Sequence, residues 1–292
     1  ISHWTPRALR LELIHRKIVA NISPRQVGRF LKGADLKPHH VRYWEHPPEG
    51  EADKEAFDQH SEKICALYRR AFSLQEQGIH LVSTDEKTGI QALERTQPTL
   101  PMKPGLSQYQ EFEYKRHGTQ CLIANFEVAT GQIMRPTIGQ TRTEEDFEHH
   151  IEQTLSIDPQ GEWVFIVDQL NTHQSESLVR LVARHCELTI DLGVKGKSGL
   201  LQSKKTRADF LQDETHRIRF AYTPKHASWL NPIECWFSIL VRRLLKRASF
   251  TSVEQLKQRI VDFIDYFNKT MAKPLETVLK PSGGSIGLEK TY

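Results

Sequence analysis

The stretch WVFIVDQL at residues 163–170 decides how the larger part of this chain folds. Its first five residues are all apolar, and a short unbroken apolar run predicts a strand that is buried on both faces of a sheet. Asp168 follows at once. A carboxylate that ends a buried strand is costly to desolvate unless a cation lies nearby, so Asp168 is a candidate metal ligand.

Further strands and helices flank this strand. Strands are predicted at IHLVSTDE (79–86), in a hairpin over 120–139 with turn residues 129–131, and at RIRFAYTP (217–224). Helices are predicted over 143–155 with Thr143 as N-cap, 175–185, 231–247 and 252–268, and residues 90–117 form an irregular Pro-rich connection. This order is typical of the ribonuclease H-like fold, an α/β class with a mixed five-stranded sheet flanked by helices. In that fold the first and fourth strands are neighbours.

The N-terminal part has the pattern of two short helices, over 4–19 and 22–33. Ser23 is the expected N-cap of the second helix, Pro24 suits its first position, and Gly33 suits its end. Two helices joined by a tight turn predict an all-α helix-turn-helix segment, with a wing strand at 39–44. Its candidate DNA-binding residues are Arg25, Gln26, Arg29 and Lys32. A small helical hairpin without DNA-binding function has the same pattern.

Composition shifts set the expected domain limits. They are a helix-turn-helix segment at 1–48 with its start missing, a linker and connecting helix at 49–78, a catalytic domain at 79–280 with an insertion near 190–215, and a disordered tail at 281–292. The connecting helix is predicted as one long amphipathic helix over 53–77 that ends at Gly78. The first residue is Ile1 rather than Met, which indicates a fragment or a processed chain.

Charge is distributed unevenly along the chain. The net charge is +4, yet residues 1–48 alone hold nine Lys/Arg and three Asp/Glu. This asymmetry favours an anionic partner, nucleic acid first, over a merely solvated basic face. The four cysteines form no CxxC pair, which argues against structural zinc. Cysteines this widely spaced favour reduced thiols in a cytosolic protein. No stretch approaches the about 20 apolar residues of a membrane span.

Three acids are candidate catalytic and metal-binding residues: Asp85, Asp168 and Glu234. Acids from separate elements that converge can hold two divalent cations, Mg²⁺ or Mn²⁺, as phosphoryl-transfer enzymes require. Asp85 could equally be an acid at a strand-to-turn junction. Glu234 could be the third residue of a helix whose N-cap is Asn231, a capping box without any chemistry.

Polar and basic residues near these acids complete the candidate site. Asn171, His173 and Asn231 are candidates for the second shell around a metal, although Asn171 could equally be a helix-entry cap. Two basic runs contribute further candidate DNA-binding residues: Lys204, Lys205 and Arg207, and Arg242 and Arg243. Such runs suit contacts with the phosphate backbone, and they are also compatible with a solvated face.

The segments STDEKTG (83–89), VDQLNTH (167–173) and YTPKHASWLNPIECWF (222–237) together resemble the DDE transposases of the mariner-like superfamily, in its bacterial insertion-sequence branch. The resemblance implies that Asp85, Asp168 and Glu234 are the three acids of that family. Relatives usually separate the last two by about 34 residues, whereas 65 residues separate them here. Gln169 also stands where many relatives have Asn.

The resemblance implies an insertion-sequence transposase that cleaves DNA ends and transfers the strands with two Mg²⁺ or Mn²⁺ ions. It implies double-stranded DNA as partner, with terminal inverted repeats and a TA target, a homodimer on that DNA, and a nucleoid-associated location in the bacterial cytoplasm. The main alternative is a DNA-binding remnant or regulator without catalysis. A ribonuclease H-like nuclease for RNA–DNA hybrids is a further alternative, which the helix-turn-helix pattern disfavours.

Overall fold

A computed structural model of the chain describes residues 4–38, 51–225 and 227–275. The predicted wing strand at 39–44, the linker residues 45–50 and the tail at 281–292 lie outside these ranges. The chain divides into two units, Ile1–Glu49 and Gly50–Tyr292. Within the described residues, no helix has the length and apolar character needed to cross a membrane.

The first unit contains the two helices that the sequence predicts, α1 (Pro6–His15) and α2 (Pro24–Gly33). Thr5 and Ser23 cap their N-termini, and each helix begins with a proline, whose missing N–H would have no partner there. The side chain of Arg10 joins the helices by donating from Nε to the carbonyl of Ile22 over 2.7 Å.

The second unit is built on one mixed sheet. Its strands are β1 (Ile79–Arg95), β2 (Tyr114–Glu127), β3 (Ile133–Gly139), β4 (Glu162–Val167) and β5 (Ile218–Tyr222). The order across the sheet is β3-β2-β1-β4-β5. β1 pairs antiparallel with β2 and parallel with β4, so the first and fourth strands are neighbours, as predicted.

Helices cover both faces of this sheet. They are α3 (Glu51–Arg69), α4 (Ala71–Glu76), α5 (Glu144–Leu155), α6 (Glu176–His185), α7 (Lys204–Leu211), α8 (Ile233–Leu240) and α9 (Val253–Thr270). Leu81 of β1 packs in one core with Trp236 of α8 and Ile260 of α9. Val82, the next residue, packs in the other core with Phe147 of α5 and Leu178 of α6. Successive side chains of β1 therefore point to opposite faces of the sheet and pack in two separate cores.

The β1–β2 hairpin is longer than the sequence predicts. The expected irregular connection over 90–117 is wrong at both ends, because β1 continues to Arg95 and β2 begins at Tyr114. The pairing shifts register between Lys87 and Ile90. Past this bulge Ile90 and Ala92 are buried, so alternate side chains still reach the core and hold the strand in the sheet.

Two helix predictions also need correction. The single helix predicted over 53–77 is interrupted at Arg70, whose backbone N–H is shared between the carbonyls of Ala66 and Leu67. The helix predicted over 231–247 begins at Ile233, is α-helical to Leu240 and continues as a π-helix over Val241–Leu245. In that π-turn Lys246 N–H bonds the carbonyl of Val241, five residues earlier.

Candidate active site

Asp85 and Asp168 lie side by side at one edge of the β1–β4 pair. The parallel register ends with Ser83 opposite Ile166, so Asp85 and Asp168 each lie two residues beyond the last paired residues. Asp85 is not at a strand-to-turn junction, because β1 continues past it. It lies instead where β4 ends and leaves room beside the strand. The side chain of Asp168 is 44% exposed, so it reaches this open space.

Asn231 connects the third acid to the first. Its Nδ2 donates to Oδ2 of Asp85 over 3.2 Å and to the carbonyl of Thr84 over 3.3 Å. Its Oδ1 accepts from the hydroxyl of Ser83. Pro232, not Asn231, takes the N-cap position of α8, so the capping-box interpretation of this segment is wrong. Glu234 lies in the first turn of α8 at an exposed position.

The buried side chain of His173 contacts the carboxyl group of Asp168. Its Nδ1 lies 2.7 Å from Oδ1 of Asp168, and its Nε2 lies 3.2 Å from Oε1 of Glu86. The imidazole is fully buried and packs against the ring of Phe147, with centroids 4.3 Å apart. Burial opposes protonation, but hydrogen bonds to the two carboxylates raise the pKa of His173 to about 10. Both ring nitrogens thus face carboxylate oxygens, which favour the protonated form of the ring.

The three acids differ electrostatically. Burial raises the pKa of Asp85 to about 7, and the charge of Asp168 adds to the rise. Burial has the same sign at Asp168, but the hydrogen bond and charge of His173 outweigh it and lower the pKa of Asp168. Loss of solvent around its carboxyl group raises the pKa of Glu234, against an opposing effect of Lys87. At Asp85 and Glu234 the nearby positive charges are thus too weak to cancel the effect of burial.

The donor chemistry of this site fits a hard divalent cation. Its three acids supply only carboxylate oxygens, which suit Mg²⁺ and Mn²⁺ better than softer metals. The pKa values of Asp85 and Glu234 are raised. A divalent cation nearby would lower them again, because it stabilises the ionised carboxylates. Within residues 4–38, 51–225 and 227–275, however, no group of three or more His, Cys, Asp or Glu side chains has the spacing of a formed metal site.

Part of the segment near 190–215 forms hydrogen bonds with the loop that follows Asp168. Nζ of Lys204, the first residue of α7, donates to the carbonyl of Gln169 over 2.9 Å and to Oδ1 of Asn171 over 2.8 Å. Asn171 is therefore held by a lysine rather than used as a side-chain cap. Arg207 donates from Nε to the carbonyl of Gln174 over 2.7 Å, so its guanidinium braces the same region.

The remaining predicted DNA-binding residues lie on α7, on the π-helical turn after α8 and on α2. Lys205, Arg242 and Arg243 are exposed, and Arg242 also donates from Nε to the carbonyl of Ser238. In the first unit Arg25, Arg29 and Lys32 are exposed on α2, whereas Gln26 is half-buried. The sequence alone did not point to Ser83, Glu86 or Lys87. The feature that could have identified them is their position next to Asp85 on the same strand.

The sequence of the second unit matches a known protein family. Residues 80–257, more than half of the chain, match the family described as DDE superfamily endonuclease. None of the curated proteins matches the chain significantly.

Solved structures of the Mos1 mariner transposase resemble the chain in fold. The paired end complex with Mg has a TM-score of 0.52 at 14% identity and covers 92% of this chain and 69% of that chain. A pre-cleavage Mos1 transpososome has a TM-score of 0.51 at 13% identity, with 90% and 67% covered. The paired end complex with Mn has a TM-score of 0.50 at 13% identity, with the same coverage. At this identity the likeness concerns the fold, and it confirms the predicted ribonuclease H-like architecture.

Proposed function

The chain belongs to the DDE superfamily of endonucleases, and from this membership we propose that it is an insertion-sequence transposase of the mariner-like kind. It cuts DNA at the ends of its own element and joins the freed 3′ ends to a target. The observation that carries the proposal is the placement of Asp85 beside Asp168, with Glu234 in the first turn of the helix that Asn231 ties to Asp85.

Asp85, Asp168 and Glu234 would hold one or two divalent ions, Mg²⁺ or Mn²⁺, which when bound supply Lewis-acid stabilisation of the attacking and leaving oxygens. Asn231 keeps Asp85 in place, and His173 keeps Asp168 in place. Lys87 lies on β1 two residues after Asp85, and Lys204 bonds the loop that follows Asp168, so both amines can offset the negative charge of an incoming phosphodiester.

The proposed partner is double-stranded DNA with terminal inverted repeats, and the proposed target is a TA dinucleotide. The charge excess of residues 1–48 and the exposed Arg25, Arg29 and Lys32 suit contacts with phosphates or bases. The similar solved structures are a transpososome and paired end complexes. On the same basis we propose a homodimer on the DNA, in the nucleoid of a bacterial cytoplasm.

The test is cleavage of a labelled DNA that carries the element's own ends, in Mg²⁺ or Mn²⁺. We compare the chain with Asp168→Asn and with Asp262→Asn, an exposed acid of α9 that serves as matched control. Asp168→Asn should lower cleavage by more than about 100-fold, since each 1.4 kcal/mol of lost transition-state stabilisation costs about tenfold. Asp262→Asn should cleave normally.

A second candidate is a DNA-binding remnant or regulator without catalysis. It is favoured by the absence, in the described part of the chain, of a formed three-residue metal site. The same assay separates the two candidates, because the remnant would bind the ends without cleavage in either metal, and Asp168→Asn would change nothing.

A further inference from the structure

Glu86 is an acid buried on the side of β1 opposite to Asp85. Successive residues of a strand point to opposite faces, so Asp85 faces the carboxylate site while Glu86 turns toward α5 and the loop after β4. The side chain of Glu86 is only 1% exposed. Its Oε1 lies 3.2 Å from Nε2 of His173.

His173 contacts Asp168 through its other ring nitrogen. Its Nδ1 lies 2.7 Å from Oδ1 of Asp168 and 3.2 Å from the carbonyl of the same residue. The backbone of His173 is fixed as well, because the hydroxyl of Tyr222 donates to its carbonyl over 2.8 Å. With both ring nitrogens committed and Phe147 against the ring, the imidazole has one orientation.

A contribution to folding stability does not explain why Glu86 and His173 are buried together. A carboxylate and an imidazole buried together lose their hydration, and apolar residues of similar volume are often neutral or stabilising in their place. Asp168, in contrast, is 44% exposed and needs an external contact to hold its carboxylate in one rotamer. Partners that hydrogen-bond a ligating carboxylate orient it, and losing them typically costs 10–100-fold in metal affinity or activity.

We propose that Glu86 is a positioning residue, which fixes the carboxylate of Asp168 for a divalent cation by holding His173 from behind. The inference rests on the proposed function, since it assumes that Asp168 binds a metal. It assigns to Glu86 a role that requires no contact with DNA or metal.

The chain offers a matched control at another place in the sheet. Glu127 is also a buried carboxylate with a histidine partner, since its Oε1 lies 3.0 Å from Nδ1 of His80 and its side chain is 9% exposed. Thr130 donates to its other oxygen over 2.7 Å. Its described contacts are thus with residues outside the three-acid site.

The experiment measures Mn²⁺ binding to the full chain without DNA, by calorimetry and by the electron paramagnetic resonance spectrum of the bound ion. Glu86→Ala should weaken binding by about 10–100-fold and alter the spectrum. Glu86→Gln should recover most of the affinity, because its amide oxygen still accepts from Nε2. Glu127→Ala should bind like the wild type, although it too loses a buried hydrogen-bonded pair.

Equal affinity of Glu86→Ala and the wild type would overturn the inference, and so would a Glu86→Gln variant no better than Glu86→Ala. If Glu86→Ala does not fold, Glu86→Asp takes its place, because its shorter side chain keeps the charge but cannot reach Nε2; wild-type affinity there overturns the inference. A wild-type chain that binds no Mn²⁺ overturns the proposed function as well, which separates that failure from the other two.

Discussion

Asn231 Nδ2 donates a hydrogen bond to Oδ2 of Asp85 over 3.2 Å, and this contact joins the start of α8 to the middle of β1. The same side chain accepts from the hydroxyl of Ser83, which in turn accepts from the N–H of Ile233 over 3.1 Å. One buried polar network therefore joins Asp85 to the start of the helix that carries Glu234. A change in that network should affect both acids.

Asn231→Ala removes the centre of this network and leaves the Ser83 hydroxyl buried without its acceptor. We expect it to lower the free energy of unfolding by about 1–3 kcal/mol and to weaken Mn²⁺ binding and DNA cleavage. The control is Asn268→Ala, because Asn268 makes two comparable bonds with the backbone of Ile133 far along the chain from the acids. Denaturant unfolding and Mn²⁺ titration check both variants; an equal loss of Mn²⁺ affinity in both would contradict a specific role for Asn231.

Lys204 and Lys205 are adjacent on α7 but have different surroundings. Both are exposed, but the amine of Lys204 also donates to the loop after Asp168. We expect Lys204→Ala to lower the cleavage rate at saturating DNA, because the loop loses its anchor. Lys205→Ala should instead weaken DNA binding and reduce its salt dependence by about one unit of slope, as expected for one lost phosphate contact. Cleavage rates and binding at several salt concentrations test the pair; reversed effects would refute these assignments.

Sequence reasoning succeeded where local pattern was sufficient. The buried strand that ends at Val167 was recognisable from its five consecutive apolar residues, and α5 from the expected N-cap Thr143. It failed where the deciding partner is remote. The side chain of Asn231 bonds Ser83, 148 residues earlier, so the cap that local sequence offered as an alternative does not form.

Glu86 and the end of β1 were missed for related reasons. A buried glutamate looks like a surface residue until its histidine partner, 87 residues away, is known. The first strand was predicted to end at Glu86, whereas the pairing with β2 only shifts register between Lys87 and Ile90 and then continues. Long-range pairing, not residue preference, decides both cases.

Acid should destabilise the protein through His150. This histidine of α5 is fully buried, and burial, with a smaller effect of the His149 charge, lowers its pKa to about 3. The unfolded chain takes up the proton near the ordinary value of about 6.5, so it binds more protons than the folded chain between these pH values. Stability therefore falls as pH falls through this window, by up to about 1.4 kcal/mol per pH unit.

His150→Leu removes this contribution, so its unfolding free energy should depend less steeply on pH between about 6.5 and 3, a window set by the two pKa values. His149→Gln, at the exposed neighbouring position, should nearly keep the wild-type slope. Urea unfolding at several pH values measures the slopes. The same slope in His150→Leu and the wild type would show that His150 does not carry the acid sensitivity.

Gly131, in the turn between β2 and β3, should tolerate no side chain. It has a φ of +73°, and a Cβ there would overlap the backbone carbonyl of Lys273. Gly78 has a similar φ of +78°, with no described atom within 4 Å of such a Cβ. Gly78→Ala should cost about 1–2 kcal/mol for the left-handed backbone alone. Gly131→Ala should cost clearly more, because the segment after α9, whose Leu275 N–H bonds the carbonyl of Val128, must move. Urea midpoints with unchanged m-values compare the two variants; equal losses would mean that this segment does not pack on the turn.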